Sequence, residues 1–170
     1  MRKRSIAQLL LLVALVALPQ VLPRFHTYVA AIVLRTALLA MSLNLAIGYT
    51  GIYQFGHAVF YGVGAYGTAL MLTRSAMPAS LAFLVGPLAS AALSLVMGLI
   101  CIRLSKLYFG MLQISLGSLV WAVVYRWYSF TGGDDGIHGI PLPDGIASPK
   151  GSYYFTLTVT ALCVFAMYRI

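Results

Sequence analysis

The chain has 170 residues, of which 61% are hydrophobic and only 8% charged, with a formal net charge of +8. A soluble domain carries about 25% charged residues, so this composition excludes an ordinary water-soluble enzyme and makes lipid the expected solvent. The basic residues flank apolar runs and form no stripe interleaved with aromatics, which fits headgroup anchoring rather than nucleic-acid binding.

A membrane-crossing helix needs about 20 apolar residues, and six segments are candidates. The first, Ile6–Leu22, follows Arg2, Lys3 and Arg4. A signal peptide has the same start, but no small-x-small cleavage site precedes Pro19 and another apolar run follows at once, so a retained helix is expected. The second, Tyr28–Ile47, contains Arg35, which either snorkels outward along its stem or faces a polar partner in the bundle. The third, Ala58–Thr73, is short. The fourth, Leu81–Ile102, has Pro78 ahead of it as a start signal and Pro87 inside it, which predicts a kink. The fifth is Leu107–Trp127 and the sixth Tyr153–Tyr168. Cys101 and Cys163 lie in or at the edge of these runs, offer no disulfide framework or zinc spacing, and read as packing residues. The fold class expected is an all-α integral membrane bundle of about six helices, forming one transmembrane domain over residues 1–170.

Residues 128–152, Tyr128–Ser152, are the one long polar stretch. They hold all three acidic residues, Asp134, Asp135 and Asp144, among Gly132, Gly133, Gly136, Gly139, Pro141, Pro143 and Pro149. Such a stretch is expected as an extramembrane loop, not a regular helix. With the N-terminus placed inside, Arg2, Lys3, Arg4, Arg103, Lys106 and Arg169 fall on the cytoplasmic side, while Arg24, Arg74, Arg126 and Lys150 fall outside with the Asp residues. Six against four favours an N-in orientation and an external loop. Asp134, Asp135 and His138 have the side chains for a cation, but the sequence gives this loop no fixed geometry, so no metal site is expected.

Asn44–Gly67 departs most from a lipid-facing helix. Gly48, Gly51, Gly56, Gly62, Gly64 and Gly67 crowd one window, with Asn44, Thr50, Gln54 and His57 among them. Irregular backbone at membrane depth is tolerated only inside protein or along a water-filled cavity. Gly48–His57 is therefore read as a broken or re-entrant element, the alternative being an ordinary interfacial turn. His57 is either a helix-packing hydrogen bonder or a lining of a translocation path. Ala58, Gly62, Ala65 and Ala69 share one helix face. So do Gly86, Ser90, Ser94 and Gly98, and also Ala37, Ala40, Asn44 and Gly48, so close helix packing is expected. No nucleophile–base pair or phosphate loop is visible, and Gly62-x-Gly64-x-x-Gly67 does not follow a strand, so it is not a dinucleotide fingerprint.

N-L-A-I-G-Y-T-G from Asn44, F-G-H-A-V-F-Y-G-V-G-A-Y from Phe55, R-L-S-K-L-Y-F-G-M-L-Q-I-S-L-G from Arg103 and T-G-G-D-D-G-I-H-G-I-P from Thr131 together resemble the LivM family. These are permease subunits of branched-chain amino acid ABC importers, and the resemblance runs from Tyr28 to the chain end. It implies a second, LivH-like permease, two cytoplasmic ATPases that bind the nucleotide, and a periplasmic substrate-binding protein. It implies a bacterial inner-membrane location, no cofactor in this chain and no catalysis by it. Urea, short amides or another amino acid class are alternative cargoes. A small ion-coupled transporter or channel, or a non-functional remnant, is the rival of another class.

The first block makes Asn44, Gly48, Tyr49, Thr50, Gly51, Gln54, Phe55, Gly56 and His57 candidates for a translocation path or hinge. The second makes Thr131, Gly132, Gly133, Asp134, Asp135, Gly136, His138 and Pro141 candidates for an external gate or docking loop. This chain departs from the family pattern at Gln54, where Ser is common, at Lys106, where Gly is usual, and at Gln113-Ile114, where Thr-Leu is typical. The family's chains continue well beyond Ile170 into a coupling loop for the ATPase, so the resemblance implies a fragment or truncated product.

Overall fold

The computed structural model describes residues 13–51, 53–75 and 78–169. Those residues form helices and connecting turns, with no strand among them. The helices are α1 (residues 13–21), α2 (Arg24–Thr50), α3 (His57–Arg74), α4 (Ala79–Cys101), α5 (Lys106–Arg126), α6 (Tyr128–Thr131), α7 (Asp144–Ala147) and α8 (Pro149–Arg169). Where described, the six expected segments are helical except at the end residues Leu22, Ile102 and Trp127, and residues 6–12 of the first lie outside the described residues. Four helices, α2, α4, α5 and α8, are long and apolar enough to cross a membrane. α3 has 18 residues but is diluted by three glycines, two tyrosines, His57 and Arg74, and is not among the four.

The chain divides into two compact units, Met1–Ala40 with Pro143–Ile170, and Met41–Leu142. In the first unit, Tyr153 is fully buried and its hydroxyl donates to the Leu15 carbonyl at 2.8 Å. The neighbouring Tyr154 donates to Val16 at 3.2 Å, so the start of α8 is fastened to α1. The polar stretch was expected to avoid helix, yet Pro149–Ser152 form the first turn of α8 and two one-turn helices, α6 and α7, lie within the stretch. The reason is that proline breaks a helix interior but suits its first position, where its missing N–H costs nothing. Ser148 caps this start, its hydroxyl accepting the Gly151 N–H at 3.0 Å. Arg35 is half-buried, and its Nε donates to the Ala31 carbonyl of its own helix at 3.2 Å.

In the second unit α3 and α4 lie in close contact. A Cβ on Gly86 would sit 2.1 Å from Thr68 Oγ1 and 2.6 Å from the Gly64 carbonyl oxygen. Ser90 donates across the pair to the Phe60 carbonyl at 2.7 Å. Small residues let the backbones meet, as expected of a membrane interface. The α4 face was legible through Gly86 and Ser90, but Ser94 bonds within its own helix and Gly98 faces open space. The α3 face is different from the one expected. Gly64, Gly67 and Thr68 meet α4, whereas Ala58 and Gly62 line an apolar groove towards α5. Ala65 and Ala69 line another beside Ile137 and Ile140. Small residues occur all round α3, so their period alone did not single out the packed face. α4 runs unbroken through Pro87.

Candidate functional site

The interruption expected at Gly48–His57 is present but shorter. Gly48, Tyr49 and Thr50 complete the last turn of α2, and His57 is the first residue of α3. Between α2 and α3 the described residues, Gly51 and 53–56, lie outside any helix. Gly51 ends α2 with φ +62°, the left-handed conformation that glycine adopts without a Cβ penalty. Its N–H still bonds the Ile47 carbonyl at 2.8 Å.

The second half of the break rests on α5. Gly56 is buried, and its N–H donates to Gln113 Oε1 at 3.3 Å. A Cβ on Gly110 would lie 2.8 Å from the Phe55 ring, and one on Gly117 would lie 2.9 Å from Val59. Gly110, Gln113 and Gly117 are spaced i, i+3, i+7 and so form one face. Gly110 admits Phe55 of the non-helical segment, Gly117 admits Val59 in the first turn of α3, and the amide between the two glycines satisfies the Gly56 backbone donor. Phe55 also stacks on Tyr53, with ring centroids 6.3 Å apart. His57 reaches in the other direction, its Nε2 2.7 Å from Ser42 Oγ on α2. His57 Nδ1 is buried with no hydrogen-bond partner among the described residues. The break is thus held by Ser42 of α2 on one side and Gln113 of α5 on the other.

The expected path residues are not all gathered here. Asn44, Gly48 and Tyr49 are exposed on α2, and a Cβ on Gly48 would meet nothing within 4 Å. Thr50 is exposed and bonds back to the Ala46 carbonyl at 2.7 Å. Gln54 is half-buried. Ser42, Gly110 and Gly117 were missed, and Gln113 was noticed only as a departure from a family pattern. The signal that finds them is the glycine–amide–glycine stripe on α5.

The Thr131–Pro141 loop has a defined geometry. Thr131 is buried, and its one hydroxyl proton is shared between the carbonyls of Val124 and Trp127 while its oxygen accepts the Gly133 N–H at 3.2 Å. Gly132, Gly133, Gly136 and Gly139 all have positive φ. A Cβ on Gly132 would fall 2.2 Å from the Gly136 carbonyl oxygen, so the turn closes on itself only with glycine there. Asp135 accepts a short hydrogen bond from the Tyr128 hydroxyl. That bond and the Asp135 charge hold the Tyr128 phenol above its ordinary pKa, with smaller contributions from desolvation and the Asp134 charge. Asp134, His138 and Pro141 are exposed. Arg74, at the end of α3, forks onto the carbonyls of Ser129 and Phe130 at 2.8 Å each and lies over the Phe130 ring. Among the described residues no three His, Cys, Asp or Glu side chains converge as metal ligands.

Four long apolar helices and the close α3–α4 pair built on small residues define a multi-pass membrane protein. Residues 26–170 match the family described as branched-chain amino acid transport system / permease component, and the chain belongs to that family. It is 28% identical over 141 residues to the high-affinity branched-chain amino acid transport system permease protein LivM of Salmonella typhimurium. The LivM protein of Escherichia coli gives the same identity over the same length. In both cases 83% of this chain is covered, and it spans 33% of the relative. No solved structure matches the chain.

Proposed function

We propose that this chain is a membrane-spanning part of the permease of an ATP-binding-cassette importer for branched-chain amino acids. The observation that carries this reading is the family match over residues 26–170, which includes both the helix break and the glycine–aspartate loop. The chain is taken to pair with a LivH-like permease, two cytoplasmic ATPases and an external substrate-binding protein. ATP hydrolysis takes place on the ATPases, and this chain performs no covalent chemistry and needs no cofactor. The membrane is the bacterial inner membrane, with the N-terminus inside. The ordered loop of Thr131–Pro141 is the external gate or docking element. Its exposed Asp134 and His138 are available to a partner, while Thr131 and the glycines fix its shape. The break over residues 51–56 is the path or hinge, and its support is the pair of side chains, Ser42 and Gln113, that hold it from two helices.

The test is uptake of radiolabelled leucine by source cells with the gene intact, deleted and restored. The reading expects ATP-dependent leucine uptake to fall on deletion and return on restoration. Unchanged leucine uptake with loss of urea uptake would transfer the gene to another cargo.

A further inference from the structure

α3 is attached to α5 and its loop at both ends and stands off α5 in between. At its start, the Gly56 N–H donates to Gln113 and Val59 packs over Gly117. At its finish, Arg74 donates to the carbonyls of Ser129 and Phe130, and its guanidinium carbon lies 5.0 Å from the Phe130 ring centre. Between these attachments is an apolar groove of about 250 Å³, with Gly62, Val63 and Tyr66 on the α3 side and Val120 and Trp121 on the α5 side. On its other face α3 sits tightly on α4, where Gly64 and Thr68 meet Gly86. The α3–α4 pair is therefore one packed body, and α5 with its loop is a second body tied to it at two places.

The two ties differ in kind. At the first end the chain itself also joins the bodies, because α4 finishes at Cys101 and α5 begins at Lys106. Gly56 and Gln113 are buried there. At the other end no covalent link connects α3 to α5. Arg74, Ser129 and Phe130 are exposed, and the guanidinium is held by neutral carbonyls. Water or a carboxylate can replace such acceptors. Ile137 of the loop stands beside Ala65, Tyr66 and Ala69 near the same end.

We propose that Arg74 is the releasable latch of a hinge. The α3–α4 pair pivots at the helix break, and when Arg74 leaves Ser129 and Phe130 the groove between α3 and α5 opens at the loop end. Arg74 is thus a positioning residue for the loop and the groove together. The device goes beyond the importer reading and is independent of the cargo.

The test is the rate at which N-ethylmaleimide labels single introduced cysteines in the full chain in detergent, with the signal of Cys101 and Cys163 subtracted from the unsubstituted protein. Ile137→Cys reports on the loop where it lies beside α3. Val120→Cys reports on the groove, away from the loop. Each rate is measured well below the melting temperature of its variant. Arg74→Gln is expected to accelerate labelling at both positions by about tenfold, the loss of one charge-assisted attachment. Arg74→Lys keeps a cation over Phe130 and one donor, and is expected to return both rates to within about threefold of the parent. Phe130→Leu removes the ring and leaves the carbonyls; it is expected to accelerate both by about threefold and serves where Arg74→Gln does not fold. Unchanged rates in both Arg74→Gln and Phe130→Leu overturn the proposal. Acceleration at position 137 with position 120 unchanged overturns the hinge, since the loop alone has then loosened. Rates in Arg74→Lys equal to those in Arg74→Gln overturn the role of the cation. No cargo enters the experiment, so its failure leaves the importer reading standing, and failure of leucine uptake leaves the latch standing.

Discussion

The Ser42 hydroxyl lies 2.7 Å from His57 Nε2 and so joins α2 to the first residue of α3 across the helix break. The same ring leaves Nδ1 buried and, among the described residues, unpartnered. A histidine with one satisfied nitrogen and one orphan has no spare bond to lose.

Ser42→Ala is therefore expected to destabilise the protein by about 1–3 kcal/mol, because it adds a second unsatisfied nitrogen to the same ring. Removing both partners in Ser42→Ala with His57→Phe should cost less than the sum of the single changes. Thermal unfolding of the four proteins in detergent measures the coupling. Simple additivity would mean that the bond does not hold the break.

The contact between α3 and α4 gives a sharper contrast. At Gly86 a Cβ would collide with the backbone oxygen of Gly64 as well as with Thr68, and at Gly98 it would meet nothing. Gly86→Ala should destabilise by about 1–3 kcal/mol, the usual cost of overpacking. Gly98→Ala should be neutral or stabilise by up to about 1 kcal/mol through helix propensity. Melting temperatures of the two variants check this, and similar values would contradict the packing described.

In the glycine–aspartate loop, two positive-φ glycines differ in their surroundings. Gly139→Ala faces open space and should cost about 1–2 kcal/mol from backbone conformation alone. Gly132→Ala adds a clash with the Gly136 carbonyl and should cost more. Chymotrypsin cleavage of the loop in the folded protein should accelerate strongly for Gly132→Ala and only slightly for Gly139→Ala.

Tyr128 supplies a pH signature. Its phenol is raised by the bond to Asp135, so the neutral, donating form is favoured in the folded protein. The associated stabilisation is complete below the unfolded phenol pKa of about 10 and is lost as pH rises through the higher folded value. Comparing the thermal unfolding of native protein and Tyr128→Phe, the difference should be constant from pH 7 to 9 and shrink above about 10. A difference that shrinks between pH 7 and 9 would show that another group is responsible.

The helices were legible because lipid demands long apolar runs and the polar residues between them mark the ends. Gly51 and Gly56 announced the break for a local reason: a left-handed φ at one and a close approach at the other. What sits against the break was not legible. Gln113 lies 57 residues beyond Gly56, and nothing local in an apolar helix says that its amide turns towards a distant backbone N–H. The same limit hid Ser42. Pro149 misled because proline stops a helix interior and starts a helix with equal authority, and only the Ser148 cap resolves which.

The most direct test of the account is leucine uptake by source cells carrying Gly56→Val in place of the native chain, with membrane abundance measured in parallel. A Cβ at Gly56 would already press on the Gln113 side chain and backbone at 3.2 and 3.3 Å, so the larger side chain must lift the break off α5. Gly98→Ala, in open space on α4, is the control. The account predicts that Gly56→Val reaches the membrane at native abundance and loses most leucine uptake while Gly98→Ala keeps it. Native uptake by Gly56→Val would contradict the claim that the break seated on α5 is the working part of a permease.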